Sequence, residues 1–280
     1  MSWRSLLVHL DSDARCDARI RLAARWSAAH AGHLVGIATT GPIEADTGLG
    51  AASRQLDELA ALRDAALHRA AQRVEHFLSR CRAEGAGSAE GHVHEGERAA
   101  VVLHHAHCAD LVVVGQADPA AATHREDARF VEEVLLGNAR PTLVVPHGGR
   151  FDEIGRKVLV AWDDSHGCAR AATDALPLLR DAGSVHLRVW QRAGASAAGP
   201  IRERMEAVRL WLLRQGVPAE VRIVEPDGPI GEAILHAALD LGVDAVVMGT
   251  YGHSRWTERL VGGATRTALA RSPVPLLMSR

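Results

Sequence analysis

Residues 243–252 read VDAVVMGTYG, an aspartate followed by four apolar residues and then by two glycines that stand three positions apart. An aliphatic run without polar alternation is typical of a strand that is buried on both faces, as in a parallel sheet. Glycine has no Cβ, so Gly249 and Gly252 allow the backbone to turn tightly and to approach a ligand closely. The stretch therefore predicts a central parallel strand that ends in a ligand-binding turn.

Short aliphatic runs of this kind alternate with helical stretches along the whole chain. Besides 245–248, the strand-like runs are residues 6–10, 34–37, 111–114, 143–145, 158–160, 221–224 and 276–278. Stretches rich in Ala, Arg, Leu and Glu with helical periodicity occupy residues 14–31, 54–82, 169–180, 202–214 and 230–241. Alternation of strand and helix predicts an α/β protein with doubly wound parallel sheets.

The order of these elements occurs twice. VDAVVMG at 243–249 resembles ADLVVVG at 109–115, an offset of 134 residues, and the closing segments keep that offset through Pro141 and Pro275. The first strands resemble each other at a larger offset, since Asp11 and Asp163 are 152 residues apart. The change of offset assigns about 18 extra residues to the first copy, which we place in residues 41–82 because a turn-rich stretch there precedes a long helix.

The duplication predicts two tandem domains, residues 1–147 and residues 155–280, joined by a linker rich in Pro and Gly. A length of 280 residues suits two such domains. We predict a doubly wound parallel sheet in each.

Composition and charge limit the kinds of partner and the cellular compartment that we expect for this protein. The net charge of −2 and a pI of about 6.8 give no basic surface for nucleic acid. No apolar run approaches the roughly 18 residues of a membrane span, and the N-terminal residues lack the apolar core of a signal peptide. Four cysteines without CxxC spacing are typical of reduced thiols. We therefore expect a cytoplasmic protein without a nucleic-acid or membrane partner.

Two segments of the second copy are predicted to meet at the carboxyl ends of its strands, where ligands bind in open parallel sheets. Asp163 directly follows the first strand and can accept hydrogen bonds from ribose hydroxyls or a base amino group. Gly262 and Gly263 open the helix that follows the glycine turn, so its unpaired N–H groups and its dipole point at the same space. These features predict a nucleotide or another small anion; the alternative is a structural glycine turn without a ligand.

The spacing Gly249-x2-Gly252-x9-Gly262, with Asp163 and the duplicated strands, resembles the universal stress protein family, in particular its tandem two-domain members. The resemblance covers nearly the whole chain. It implies Rossmann-like, adenine nucleotide alpha hydrolase-like domains, each with a five-stranded parallel sheet and helices on both faces. It also implies stress-linked expression, dimerisation through the last strand, and adenine-nucleotide binding in some members.

On this resemblance, Asp163 would meet the adenosine portion of ATP or AMP, and Met248 and Gly249 the ribose and the first phosphate. The phosphates, with Mg²⁺ as a companion ion, would be met by Gly252, His253, Gly262, Gly263 and Ala264.

Two departures from the family pattern change this expectation. Members that bind ATP have Ser or Thr directly after the third loop glycine, whereas this chain has Gly263, and the missing hydroxyl is worth about 1.5–3 kcal/mol. In the first copy, residues 115–118 read GQAD, so a carboxylate stands where the second glycine would be, and residues 119–129 contain no glycine loop. We expect the first copy not to bind ATP.

Two functions follow from these features. The first is a stress-response sensor or switch, in which ATP or AMP orders residues 250–261 of the second copy. The second is a nucleotide-independent interaction protein, in which the tandem domains form a pseudo-dimer scaffold and two chains pair further as a homodimer. The chain has neither a GxSxG motif nor a Walker lysine, so we expect no enzymatic activity beyond slow ATP hydrolysis.

Several side chains that could act in catalysis or binding are predicted to have structural roles instead. Asp164 and Ser165 are predicted to cap the helix that starts near His166, and Cys168 to be buried inside that helix. The tryptophans at positions 190, 211 and 256 are predicted to lie in the core or at interfaces.

Histidines concentrate in the first copy. His92 and His94 alternate on one strand face, while His104, His107 and Cys108 share a helix face. Such spacings can ligate zinc. No second paired motif accompanies them, so we predict polar surface and no metal site.

Overall fold

The computed structural model describes residues 2–41, 52–191, 198–250 and 263–280, with the side chains of 52–56 and 198–200 left undescribed. The chain packs as two compact units, Arg4–Val113 and, together with the residues before Arg4, Val114–Arg280. None of the described helices is both long enough and apolar enough to span a membrane. The predicted division into residues 1–147 and 155–280 follows the duplication and stays a prediction.

The first unit is a parallel sheet covered by helices. Its elements are β1 (Ser5–Leu10), α1 (Cys16–His30), β2 (His33–Thr39), α2 (Ala52–Ala83), β3 (Ala89–His94), α3 (Arg98–Ala106) and the greater part of β4 (Leu111–Gly115). The strands follow the order β3-β2-β1-β4 and all pair in parallel. The central strand β1 is buried along nearly its whole length, and α2 packs a face on which Ala66, Ala70, Phe77 and Cys81 recur at helical spacing.

The second unit contains the remaining elements. These are α4 (His124–Gly137), β5 (Thr142–Val145), β6 (Lys157–Trp162), α5 (His166–Asp174), α6 (Leu176–Asp181), β7 (Ser184–Trp190), α7 (Ala198–Arg214), β8 (Ala219–Val224), α8 (Ile230–Leu241), β9 (Ala245–Gly249), α9 (Gly263–Arg271) and β10 (Leu276–Ser279). The strand order is β5-β10-β9-β6-β7-β8, and β5 alone runs antiparallel to its neighbour.

The five strands β6 to β10 form the parallel sheet predicted for the second copy. The chain moves outward in one direction through β6, β7 and β8 and then crosses back to β9 beside β6. Strand order therefore reverses between β6 and β9. Asp163 follows β6 and Gly249 ends β9, so both predicted site segments lie at this switch point.

The closing strands of the two sequence copies pair with each other inside the second unit. β5 and β10 run antiparallel, with Thr142 opposite Met278 and Val144 opposite Leu276. Both strands are buried along their length. Pairing of two last strands is the arrangement that the family resemblance associates with dimers.

Some elements differ from the sequence prediction. The predicted helix 169–180 is two helices, α5 and α6, because Pro177 in the first turn of α6 has no N–H to continue the hydrogen-bond ladder. The long helix α2 has 32 residues and its counterpart α7 has 17, so most of the extra length of the first copy lies in this helix. Strand β7 was not predicted, because His186 and Arg188 interrupt its aliphatic run.

Candidate functional site

A cavity of about 470 Å³ lies at the carboxyl ends of β6 and β9 in the second unit. It brings together five of the eight predicted site residues, namely Asp163, Met248, Gly249, Gly263 and Ala264. The other three, Gly252, His253 and Gly262, lie outside the described residues. The remaining walls come from β7, from the start of α8 and from α9.

A hydrogen-bonded turn holds the end of β6 in place. Asp163 Oδ1 accepts a hydrogen bond from the Ser165 amide at 3.0 Å, and Ser165 Oγ accepts one from the Cys168 amide at 3.1 Å. Ser165 is thus the N-cap of α5, which confirms the predicted cap. Between them, Asp164 has a left-handed φ of 64° and pairs with Arg204 at 2.9 Å. These contacts fix the backbone from which the Asp163 carboxylate reaches the cavity.

Gly249 serves the packing of α5. A Cβ at this position would lie 2.4 Å from the amide nitrogen of Cys168 and 2.7 Å from the carbonyl carbon of Gly167. Since both atoms belong to the backbone of the first turn of α5, a larger residue would push this helix away from β9. The sequence interpretation gave Gly249 a role in approaching phosphate, and the structure adds this steric requirement.

Two helices begin at the cavity. The first residues of α9, Gly263 and Ala264, and the first residues of α8, Ile230 and Gly231, line its wall. A Cβ on Gly231 would lie 2.6 Å from Cβ of Thr267, so the two helices pack closely. The first N–H groups of a helix lack intrahelical acceptors and carry partial positive charge. Two such ends side by side make one end of the cavity attractive to an anion.

Among the described residues, the space around Gly263 is open. A Cβ there would meet none of their heavy atoms within 4 Å, and the φ of Gly263 lies outside the left-handed region. The backbone conformation at this position is therefore compatible with a side chain.

The cavity also has aromatic and apolar lining residues. Trp162 is 8% exposed and Trp190 is 9% exposed, and Ile234 of α8 and Met248 of β9 line the cavity with them. Within the described residues, the indole N–H of Trp162 is buried and has no hydrogen-bond acceptor. Buried donors without a partner are uncommon in folded proteins, so this one is suited to a ligand acceptor.

Sequence reasoning missed several of these residues. Trp190 is buried, as predicted, and it also lines the cavity, which was not predicted. Trp162 directly precedes Asp163, and that adjacency was the available signal. The contribution of Ile230, Gly231 and Ile234 had no signal in the sequence, because it depends on how α8 packs over β6 and β9.

Cys168 lies beneath the site as an unreactive thiol. Its side chain is buried, its Sγ donates to the Ala161 carbonyl oxygen at 3.3 Å, and burial raises its pKa to about 12. The thiol therefore stays protonated and is a poor nucleophile. The prediction that Cys168 is buried within its helix is confirmed.

The corresponding aspartate of the first copy is committed to an internal ion pair. Asp11 Oδ2 lies 2.7 Å from Arg19 Nη2, and the Arg19 side chain is only 1% exposed. Burial alone would raise the pKa of Asp11, but the guanidinium of Arg19 outweighs it and the pKa is lowered. At the offset of 152, the second copy has Ala171 in place of Arg19.

In the turn after β4, hydrogen bonds within the protein likewise occupy the polar groups of Gln116. Gln116 occupies the position that Thr250 has in the second copy, and both amides donate to the closing strand at 2.8 Å. The Gln116 side chain is buried, donates to the Leu269 carbonyl oxygen at 2.9 Å and accepts from the His147 amide at 3.1 Å. These bonds occupy its amide group.

The histidine cluster differs from its predicted membership. His92 and His94 of β3 lie near His105 of α3, with ring centroids of His94 and His105 4.5 Å apart, and His104 is adjacent. Burial and neighbouring histidines lower the pKa of His94 and of His105. His107 and Cys108 follow the end of α3 and are exposed. Across the described ranges, no group of three or more His, Cys, Asp or Glu residues is arranged to hold a metal ion.

Comparison with known proteins connects this architecture to one family. Residues 155–280 match the sequence model of the universal stress protein family. Over 174 residues the chain is 25% identical to universal stress protein Slr1230 of Synechocystis, an alignment that covers 61% of this chain and 58% of that relative. The chain therefore aligns with less than two thirds of that relative's length.

Two solved structures resemble the whole chain. A universal stress protein from Archaeoglobus fulgidus DSM 4304 aligns with a TM-score of 0.72 at 17% identity, covering 100% of this chain and 99% of that one. A functionally unknown protein from Pseudomonas aeruginosa PAO1 aligns with a TM-score of 0.61 at 16% identity, covering 99% and 92%. At such identities these matches show the fold alone, and they show it over both halves of the sequence.

Proposed function

We propose that the cavity at the ends of β6 and β9 binds an adenine nucleotide, ATP or AMP, and acts as a sensor or switch in a stress response. The match of residues 155–280 to the sequence model of the universal stress protein family supports this proposal. The observation that carries this proposal is the convergence of Asp163, Met248, Gly249, Gly263 and Ala264 on one cavity at the switch point of the sheet. A volume of about 470 Å³ lies within the usual range of small-molecule sites.

Two groups of lining residues suit the two ends of a nucleotide. The Asp163 carboxylate would accept hydrogen bonds from ribose hydroxyls or from the base amino group. Trp162 and Trp190 offer apolar ring surface to the base, and the buried Trp162 N–H offers a donor to a ring nitrogen. The phosphates would lie at the first turn of α9, where the helix N–H groups and dipole favour negative charge. Mg²⁺ would accompany the phosphates.

We expect this site to bind a nucleotide without efficiently catalysing a reaction of it. The Cys168 thiol is held protonated by burial, and the Ser165 hydroxyl caps α5. Neither side chain is prepared to attack a phosphorus atom. Any ATP hydrolysis at this site would be slow, and the nucleotide would act by changing the structure around it.

A second candidate function rests on the closing strands. β5 and β10 pair antiparallel inside one chain, as the last strands of a family dimer are expected to do. In this alternative, the tandem copies form a pseudo-dimer scaffold for protein partners, and the nucleotide is dispensable.

Calorimetric titration of the full chain with ATP and AMP separates the two functions. The nucleotide-binding proposal predicts one saturable site per chain, lost in Asp163→Asn and retained in Asp152→Asn, a change in the second unit outside the lining of the cavity. Absence of heat and of any thermal shift at millimolar ATP would reject the sensor and leave the scaffold.

A further inference from the structure

A larger cavity, of about 690 Å³, lies in the first unit. One wall is the loop after β1 with the start of α1, and the opposite wall is a face of α2. Its charged or titratable lining residues include Asp11, Asp13, Asp17, Arg69, Arg73 and His76, and Ser12 also lines it. Nothing in the proposed nucleotide site uses this cavity.

Two of the three carboxylates in the acidic wall of this cavity, Asp11 and Asp17, have cationic partners, and the third, Asp13, accepts a hydrogen bond from the Arg15 amide at 2.8 Å. Asp11 is paired with the buried Arg19 at 2.7 Å. Asp17 Oδ1 accepts hydrogen bonds from Arg80 at 2.7 Å and from His76 at 3.0 Å. Both carboxylates have cationic or hydrogen-bonding partners within the protein, so they repel an incoming anion weakly.

Two arginines of α2, Arg69 and Arg73, line the cavity. Arg73 donates through Nη2 to the Thr39 carbonyl oxygen at 2.9 Å, and its Nε is buried without a hydrogen-bond partner among the described residues. Arg69 lines the same cavity one helical turn earlier. Burial lowers the pKa of Arg73, Asp11 offsets part of this effect, and Arg69 adds to it by repulsion. An anion between the two guanidiniums would relieve that repulsion.

In the second copy, the arginine that corresponds to Arg73 is paired with a carboxylate. Helices α2 and α7 are both followed by a left-handed glycine, Gly85 with φ 80° and Gly216 with φ 81°. Counting back from these glycines aligns Arg73 with Arg204. Arg204 is paired with Asp164 at 2.9 Å.

At the offset of 152, the first copy has Ser12 in place of Asp164. The first copy has therefore kept the arginine and replaced its carboxylate partner with a small hydroxyl residue. Ser12 also lines the cavity. The space and the charge that an intramolecular carboxylate satisfies in one copy are open to an external anion in the other.

We propose that this cavity binds a small phosphate monoester, whose phosphate takes the place of the missing carboxylate at Arg73 and is shared with Arg69. Guanidinium groups bind phosphate through paired N–H donors, and two of them match a dianion. The volume exceeds what phosphate alone needs, so the organic part of the ligand has room beside Ala66 and Ile20. The site is independent of the proposed nucleotide site, which is lined by residues 161–267.

The test is calorimetric or NMR titration of the full chain with inorganic phosphate at constant ionic strength, with acetate as the comparison anion. Two variants remove the site in opposite ways: Arg73→Gln deletes the cation, and Ser12→Asp restores the carboxylate found in the second copy. Arg82→Gln, a change at an exposed arginine of α2 outside the cavity, is the matched control.

The proposal predicts that phosphate binding is saturable and stronger than acetate binding. Phosphate affinity should fall about tenfold or more in Arg73→Gln and in Ser12→Asp, and it should be unchanged in Arg82→Gln. Because Ser12→Asp mimics a pair that folds in the second copy, loss of binding in that variant cannot be attributed to unfolding if its melting temperature is retained. Absence of phosphate binding by the unmodified chain, or equal binding by all variants, would overturn the proposal. ATP affinity at the second unit should be the same in all of them, so failure of the nucleotide site leaves this result readable.

Discussion

The substitution Gly263→Ser should tighten nucleotide binding. Gly263 is the first residue of α9, its φ is compatible with an L side chain, and a Cβ there meets no heavy atom of the described residues within 4 Å. A serine hydroxyl at this position would extend into the cavity beside the helix N–H groups. The change adds the one phosphate-directed group that the family pattern has and this chain lacks.

The magnitude follows from the charge of the acceptor. A hydrogen bond to a charged group contributes about 1.5–3 kcal/mol, and each 1.4 kcal/mol is about tenfold in affinity. We therefore expect ATP to bind roughly ten- to a hundredfold more tightly to the variant. Adenosine, which has no phosphate, should bind equally to both proteins.

Calorimetric titration with ATP, AMP and adenosine measures these differences directly. Gly87→Ser is the matched control, because Gly87 also has open space around its Cβ and an ordinary φ but lies in the first unit. Serine in a helix is also more favourable than glycine by a few tenths of a kcal/mol or more, so the unliganded melting temperatures must be compared first. Equal ATP affinity in Gly263→Ser and the unmodified chain, or an equal gain for adenosine, would refute the placement of the phosphates at α9.

Three further predictions test other parts of the structure. Asp163→Asn should abolish the binding of ATP, AMP and adenosine alike while leaving the circular dichroism spectrum unchanged; a loss confined to ATP would contradict contact with the adenosine portion. His9 is buried, and burial lowers its pKa from 6.5 to about 4. Between these two pH values the His9 side chain is protonated in the unfolded chain but not in the folded one. Urea unfolding should therefore show that about 3 kcal/mol of stability is lost as pH falls from 6.5 to 4. His9→Asn should flatten that slope, and an unchanged slope would show that other groups cause it. Cys108 is exposed whereas the pKa values of Cys81 and Cys168 are raised by burial to about 11 and about 12, so a thiol reagent should label one cysteine rapidly in the native chain and none in Cys108→Ser.

The fold could be predicted from the sequence where the buried side chains form a regular apolar pattern along the chain. Helix α8 has the predicted bounds, 230–241, because its apolar face is regular and a glycine follows it. Strand β9 is an uninterrupted aliphatic run and was found for the same reason. Strand β7 was missed because one of its faces carries charged residues, and the break at Pro177 was missed because the periodicity continues across it.

The candidate site could be predicted only in part. Asp163 and Gly263 were found because chain order and glycine spacing place them at strand and helix ends. The steric role of Gly249 and the wall formed by Trp190 depend on packing between elements that are distant in sequence. The pairing of Arg19 with Asp11 also escaped prediction, because it requires knowing that the arginine side chain folds back beneath β1.

The central claim is that the second unit holds one adenine nucleotide in the cavity at the ends of β6 and β9. Native mass spectrometry of the full chain, titrated with ATP and with AMP, measures this most directly. We predict a single added nucleotide per chain, carried by the unmodified protein and by Gly263→Ser and lost in Asp163→Asn. No added mass on the unmodified chain and on Gly263→Ser at millimolar ATP, or an added nucleotide that survives in Asp163→Asn, would contradict it.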